Sequence, residues 1–302
     1  MGRGADIPVV TKSGYVAILG RPNVGKSTLL NALLGQKLSI VTAKPQTTRA
    51  RVVGILTTDT LQAIFLDTPG LLDPKYRLQE AMVKQIETCV KDSDLLLFMV
   101  DASDFEFSFD EILRESLSRA KKPSIVAVNK IDCADQETLS IINRELGDHQ
   151  HPDRIVFISA LRGDNLDQLK VLIEQNLPIG PFLYPEDVLS IQPERFFTAE
   201  MIREEVFEKL RQEIPYSIAV KIDQFEEKEG KDYIRAIIYV EKESQKGIVI
   251  GAGGAMLKKI GASSRQKIEA FLDRPVYLDL WVKVRKNWRK KDSALREFGY
   301  LE

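Results

Sequence analysis

Apolar and polar positions along the chain repeat with two different periods. Compact apolar runs recur at Tyr15–Leu19, Leu95–Val100, Ile125–Val128 and Ile155–Ile158. Runs of that kind read as strands buried on both faces, and so as a mostly parallel sheet. Val52–Leu56 and Gln62–Leu66 read as two further strands, joined by the polar turn Thr57-Thr58-Asp59. Ser27–Leu34, Arg77–Val90 and Asp110–Ala120 carry helical spacing, and Asn165–Leu177 is an amphipathic helix stopped by Pro178. Strands alternating with helices predict an α/β domain with helices on both faces of its sheet.

Pro178, Gly180, Pro181 and Pro185 interrupt this pattern, and proline continues neither a helix nor a central strand. The order beyond them differs. Thr198–Arg211 reads as a helix whose first turn is Thr198-Ala199-Glu200-Met201, with Thr198 and Glu200 suited to an N-terminus. Strands follow at Ser217–Phe225 and Tyr233–Val240, with a turn at Glu229-Gly230. A glycine-rich point at Gly251–Gly254, a helix over Ala255–Phe271, a strand over Val276–Val284 and a final basic helix complete the chain. The predicted organisation is a flexible arm over 1–12, an α/β domain over 13–180, a linker over 181–196 and an α+β domain over 197–302.

Composition narrows the class. With 302 residues, 44% hydrophobic and 29% charged, the chain fits two globular domains and excludes collagen-like or disordered classes. Leu95–Val100 is far short of a bilayer span, and Met1–Asp6 lacks an apolar signal core, so a cytoplasmic protein is expected. Cys89 and Cys133 cannot form a disulfide framework or a zinc site, and His149 and His151 read as surface polar residues. The net charge of −1 conceals an asymmetry: residues 246–302 carry 13 basic and 6 acidic side chains, a net +7, the footprint of a polyanion site or of a solvated face.

Four motifs carry chemistry. Gly20-Arg21-Pro22-Asn23-Val24-Gly25-Lys26-Ser27 fits G-x-x-x-x-G-K-[ST] between a strand and a helix. Glycines there let backbone N–H groups wrap a phosphate, Lys26 reaches the β- and γ-phosphates, and Ser27 offers its hydroxyl to Mg²⁺. The phosphate-binding set is read as Gly20, Asn23, Val24, Gly25, Lys26, Ser27 and Thr28. Asp67-Thr68-Pro69-Gly70 ends a strand, where Asp67 can hold Mg²⁺ through water and Gly70 can approach a γ-phosphate. Asn129-Lys130-Ile131-Asp132 ends another, and its carboxylate matches guanine N1–H and the 2-amino group rather than adenine. Ser159-Ala160-Leu161 can bring a backbone N–H to guanine O6. All four lie at C-terminal strand ends, the ligand edge of open α/β sheets.

The wording of these motifs, with Pro45-Gln46-Thr47-Thr48-Arg49 and Leu71 after Gly70, resembles the Era family of GTPases. The resemblance implies GTP binding and slow hydrolysis to GDP. It also implies a role for Thr48, with Thr47 as the alternative, in completing the Mg²⁺ shell. Leu71 stands where Ras-like proteins carry the glutamine that orients water, so no catalytic residue is assigned. Relatives with the P-loop asparagine use K⁺, which makes Asn23 a candidate ligand.

In the second domain, Gly251-Ala252-Gly253-Gly254 contains a G-x-x-G, which alone also fits a helix-capping glycine cluster; the order helix, strand, strand, G-x-x-G, helix, strand resembles a type II KH domain, a fold that clamps single-stranded nucleic acid. The variable positions lack a basic side chain, so Lys258, Lys259 and Arg265 are read as supplying the phosphate contact, with Lys283, Arg285 and Lys286 further along. Trp281 is expected in the core, and Trp288 is left open between core and stacking. The Era resemblance implies the 3′ end of small-subunit ribosomal RNA and the small subunit as partners. A weak peripheral contact of the basic terminus with the inner face of the membrane is a lesser expectation. A constitutive RNA-binding scaffold is the alternative function. A tRNA-modification GTPase fits less well, because no cysteine follows Cys133 and no long insert separates the domains.

Overall fold

A computed structural model describes residues 10–42, 44–147 and 154–301. The predicted arm up to residue 9, and His149 and His151, lie outside the described residues. The chain forms two compact units that interleave along the sequence. One comprises Met1–Lys37, Arg51–Leu71 and Ile86–Ile191, and the other Leu38–Ala50, Leu72–Gln85 and Gln192–Glu302.

The elements of the first half, in order, are β1 (Lys12–Leu19), α1 (Lys26–Leu34), β2 (Val52–Thr57), β3 (Leu61–Asp67), α2 (Arg77–Asp92), β4 (Leu95–Asp101), α3 (Phe105–Ser108) and α4 (Glu111–Ser118). They continue with β5 (Ser124–Asn129), α5 (Gln136–Gly147), β6 (Ile155–Phe157) and α6 (Leu166–Asn176). Six strands form one sheet in the order β2-β3-β1-β4-β5-β6. Only β2 runs antiparallel, as the partner of β3. Every residue of β3, β4 and β5 is buried, which is why Leu95–Val100 of β4 and Ile125–Val128 of β5 read as unbroken apolar runs. Because β1, β3, β4, β5 and β6 are parallel, the loops after them share one edge.

The sequence reading passes over α5, whose apolar stripe is thin: Ile142 and Leu146 are buried while Ile141 is half exposed. A cap marks its start, since Asp135 Oδ1 accepts a bond from Thr138 N at 2.8 Å.

The stretch read as linker is partly ordered against the first sheet. Fully buried Gln62 accepts from the backbone N–H groups of Leu183 and Tyr184 at 2.7 and 2.9 Å and donates to Tyr184 O at 2.8 Å. Ile55 N donates to Leu189 O at 2.8 Å, and Ser190 Oγ donates to Val53 O at 2.6 Å. Residues 183–190 thus strap the outer edge of β2, satisfying backbone groups that an edge strand would otherwise expose.

In the second unit the elements are α7 (Glu194–Lys209), β7 (Ala219–Glu226), β8 (Asp232–Val240), α8 (Glu243–Ile250), α9 (Ala255–Leu272), β9 (Val276–Val284) and α10 (Asp292–Glu297). The sheet order is β7-β8-β9, with β7 antiparallel and β9 parallel to β8. The order α-β-β-α-α-β matches the predicted α+β fold. Ile202 and Val206 of α7 and Ile260 and Ile268 of α9 pack on Ile234, Ala236, Ile238 and Val282 of the sheet.

Three expectations are corrected here. Helix α7 begins at Glu194, not Thr198; Thr198 is buried inside it and donates to Glu194 O at 2.9 Å. A threonine hydroxyl bonds equally well at a cap or back into the helix, so the residue type misplaced the start. The basic terminus is no long helix: Trp288–Lys290 form a 3-10 turn, and α10 has six residues. Trp281 is 52% exposed, whereas Trp288 is fully buried, its Nε1 donating to Ser217 O at 2.8 Å. Strand alternation assigns Trp281 to one face of β9 without revealing that this face is uncovered there.

No helix among the described residues is long and apolar enough to cross a membrane.

Candidate functional site

In the first unit the loop after β1 folds tightly over the sheet edge. Gly20 has φ +152, and a Cβ there would lie 2.5 Å from Met99 O. Gly25 has φ +100, and a Cβ would lie 2.2 Å from Asn129 Nδ2. Both positions therefore require glycine. Val24 is buried and anchors the loop, while Asn23 is exposed at φ 67. The buried Lys26 ammonium donates to Gly20 O at 3.0 Å and Arg21 O at 2.9 Å, bridging the loop from inside. Burial, with Arg21 adding repulsion against the pull of Asp67, pushes Lys26 down to about 8.

Ser27 Oγ donates to Asp67 Oδ2 at 2.7 Å across the α1–β3 gap. Asp67 is fully buried at the end of β3. A hydroxyl beside a carboxylate is the hard-oxygen pair that suits Mg²⁺. Thr68 is locked by a bond to Ile18 O at 2.7 Å. Gly70 lies so close to the first loop that a Cβ would meet Pro22 N at 2.7 Å. Leu71 N donates to Gly20 O at 2.9 Å, and Leu71 O accepts from Arg21 Nη1 at 2.7 Å. Thr28 is partly buried in the first turn of α1.

The base-reading residues meet on the same edge. Asn129 is buried; its Nδ2 donates to Val24 O at 2.8 Å and its Oδ1 accepts from Ala160 N at 2.9 Å. One amide therefore ties together the loops after β1, β5 and β6. Lys130 sits at φ 65 and pairs with Asp101. The Asp132 side chain is 7% exposed, with Arg162 Nε 3.5 Å away. A hydrogen bond from the Ser159 side chain holds the Asp132 carboxyl below its usual range against the opposing effect of burial. Leu161 is 81% exposed, so at that position only the backbone, and not the side chain, is held near the site. Thus the structure brings together Gly20–Thr28, Asp67–Leu71, Asn129–Asp132 and Ser159–Leu161 within one unit.

Thr47 and Thr48 belong to the other unit. Thr47 is buried, its hydroxyl donating to Lys44 O at 2.7 Å and bonded to Thr42 Oγ1 at 2.8 Å. The segment carrying them is held by its basic residues. Buried Arg49 donates to Ile218 O at 2.6 Å and Pro215 O at 3.0 Å, with its guanidinium 5.5 Å over the Phe207 ring. Lys44 Nζ donates to Phe207 O and to Leu210 O, the latter at 2.5 Å, at the C-terminal end of α7. These anchors went unread in the sequence, because each joins residues more than 160 positions apart.

At the second unit's glycine-rich loop, Gly251, Gly253 and Gly254 have φ 74, 57 and 78. A Cβ at Gly251 would lie 2.7 Å from Met256 Cβ, and none is obstructed at Gly253 or Gly254, where the backbone is open to an approaching chain. Lys258 and Lys259 of α9 and Lys283 and Lys286 are exposed. Arg265 lies 4.0 Å from Glu269, and Arg285 pairs with Glu297 at 2.7 Å, so these two are already engaged.

Comparisons with known proteins agree with both halves. Residues 15–130 match a family described as 50S ribosome-binding GTPase, and residues 213–289 match the KH domain family. The crystal structure of a point variant of Aquifex aeolicus Era bound to GDP and aluminium fluoride is 42% identical, with a TM-score of 0.91, covering 97% of this chain and all of that one. Era solved with MgGDPNP and nucleotides 1506–1542 of 16S ribosomal RNA matches to the same degree and over the same share of both chains. A P-loop GTPase domain followed by a KH domain, matched over nearly the whole length, places this chain in the Era family.

Proposed function

We propose that this protein is a GTP-hydrolysing switch that binds the single-stranded 3′ end of small-subunit ribosomal RNA and acts in assembly of that subunit. It works in the cytoplasm, where the subunits are made. The observation that carries the nucleotide choice is Asp132: a nearly enclosed carboxylate, kept ionised by Ser159, offers two acceptor oxygens to guanine N1–H and the 2-amino group. The partner follows from the whole-chain likeness to Era solved with 16S RNA. The description mentioning the large subunit covers only residues 15–130, which do not include the RNA-clamping loop.

In this reading Lys26 leaves the carbonyls of Gly20 and Arg21 for the β- and γ-phosphates, and backbone N–H groups of Asn23–Thr28 take the remaining oxygens. Ser27 would give its hydroxyl to Mg²⁺ and Asp67 would hold the ion through water. When bound, Mg²⁺ neutralises charge on the phosphates. Gly70 N–H faces the γ-phosphate. Thr48, with Thr47 as the alternative, would complete the Mg²⁺ shell in the GTP state. Leu71 cannot hydrogen-bond water, so intrinsic turnover is slow, and Asn23, exposed on the loop, supplies a K⁺ ligand beside the phosphates. Gly251–Gly254, Lys258 and Lys259 hold the RNA backbone, with Lys283 and Lys286 adding charge.

The test is GTP hydrolysis in potassium buffer, with and without a short RNA matching the 3′ end of the small-subunit RNA. Stimulation by that RNA, lost on replacing Gly251 and Gly254 by aspartate, is expected. Tight GTP and RNA binding with no mutual effect would remove the switch and leave the scaffold.

A further inference from the structure

The KH sheet has two faces, and α7 and α9 cover one of them. Residues of the opposite parity point the other way: Tyr233, Arg235, Ile237 and Tyr239 of β8 pair in register with Tyr277, Asp279, Trp281 and Lys283 of β9. One end of this second face is closed. Tyr239 packs on Phe298, with ring centroids 5.0 Å apart, and Ala219 joins the cluster of Trp288, Leu295 and Tyr300. The other end is open. Tyr277 is 56% exposed and Trp281 52% exposed, large aromatic surfaces that nothing in the KH core requires.

The open end is organised. Tyr233 and Tyr277 stack with centroids 5.8 Å apart and planes 12° apart. Lys231 Nζ lies 5.8 Å from the Tyr277 ring, and Lys228 Nζ lies 5.2 Å from Tyr233. Asp279 Oδ2 accepts from Trp281 Nε1 at 2.9 Å, Tyr233 OH at 3.1 Å and Arg235 Nε at 3.2 Å. Two of these bonds hold the Trp281 and Tyr233 rings, and none of the three uses Oδ1. Lys228 pairs with Glu226 in the acidic β7–β8 turn. Lys231 and Lys283, near either end of the aromatic strip, pair with no carboxylate among the described residues.

We propose that this strip, centred on Tyr277 and Trp281, is a second contact for single-stranded RNA, separate from the glycine loop. Tyr277 and Trp281 are four residues apart on β9, about 13 Å at strand spacing, so each can stack a different unpaired base. Lys231 and Lys283 meet the phosphates, and Asp279 Oδ1 accepts from an amino group such as cytosine N4. A Lys-rich protein segment is the competing occupant. The two unpaired lysines disfavour it, as does the placing of cations against both tyrosine rings. The proposal rests on the RNA reading above only for the class of partner.

The chain has two tryptophans, and only Trp281 is accessible, so a base stacking on it quenches emission from a known site. Full-length wild type and Gly254→Asp would be titrated with a short oligocytidine, following tryptophan emission and the anisotropy of a labelled copy. Quenching is expected in both proteins, and adding Tyr277→Ala to Gly254→Asp should weaken the remaining binding about ten-fold. If Gly254→Asp misfolds, the double charge reversal of Lys258 and Lys259 to glutamate serves instead. RNA binding without quenching, or quenching that vanishes with the loop variants, overturns the second contact while leaving the first. Quenching by an oligolysine peptide but not by RNA overturns it in favour of protein docking. No binding of oligocytidine by wild type in either readout overturns the second contact, and no binding of the 3′-end RNA overturns the reading on which it rests.

Discussion

Gly25 leaves the space that Asn129 fills: a Cβ on Gly25 would stand 2.2 Å from Asn129 Nδ2. The contact ties the phosphate loop to the base-reading loop, because the same nitrogen donates to Val24 O and the same amide accepts from Ala160 N. Asn129→Ala would leave a buried carbonyl and a buried N–H without their partner. We expect about 2–4 kcal/mol of lost stability, read by urea unfolding, and much weaker binding of GDP. Gly25→Ala should weaken nucleotide at least as much, since its φ of +100 is also strained for alanine.

Lys26 makes nucleotide binding depend on pH. Its pKa falls from 10.5 to about 8 in the folded protein without nucleotide. Between those values the unfolded chain holds more protons, so stability rises with pH across that window, and below it the cost of the buried charge is present in full. Phosphates favour the ammonium and pull its pKa back up. Binding therefore takes up a proton in mildly alkaline buffer, and affinity falls as pH rises above 8. Calorimetry in two buffers of different ionisation heat should report that uptake, and Lys26→Met should abolish it.

Asp132→Asn exchanges an acceptor for a donor at the base. Guanine's N1–H and 2-amino donors then meet one acceptor and one donor, so one contact is mismatched, whereas xanthine offers a carbonyl where guanine has its amino group. Affinity for GDP should fall by two orders of magnitude or more, roughly the cost of a buried unpaired group, with a gain for xanthosine diphosphate in competition binding. An unchanged GDP affinity would show that the base is read elsewhere.

Arg49 is a buried cation satisfied by two backbone carbonyls and one aromatic face. Arg49→Ala should cost about 3 kcal/mol and speed amide exchange over residues 38–50, while Arg49→Met, which keeps most of the volume, should recover part of the stability but not the exchange protection.

Much of the nucleotide site could be read from the sequence because its motifs are short contiguous runs that end buried strands. Gly20, Gly25 and Gly70 stand at fixed places within those runs, though each packs against a distant residue, and Asp67 and Asn129 each close a fully buried strand. The order of secondary elements in the KH half was equally legible, since its strands alternate and its glycines cluster. What escaped depended on distant partners. Trp288 is buried because Ser217 accepts its N–H, and no spacing around residue 288 announces that. Trp281 has a neighbouring pattern suited to a core strand, yet its face is covered only at the far end, by Phe298 and its neighbours. Segment 38–50 has no apolar period at all; Lys44 and Arg49 place it through carbonyls of α7 and the turn after it.

The interleaving of the two units has a consequence for how such a gene can be cut and rejoined. Ala50, Leu72, Tyr76, Leu78 and Met82 share a cluster with Ala219, Trp288 and Leu295. A fragment beginning at Gln192 would keep the KH strands but lose the side chains that fill this cluster, and the pocket around Arg49 with them. Recombination at the apparent junction therefore severs a folding unit, although the motifs on either side remain intact. The polypeptide that lies between the nucleotide motifs is also structural material of the KH half, so the RNA-binding module cannot be excised at residue 192 with its packing whole.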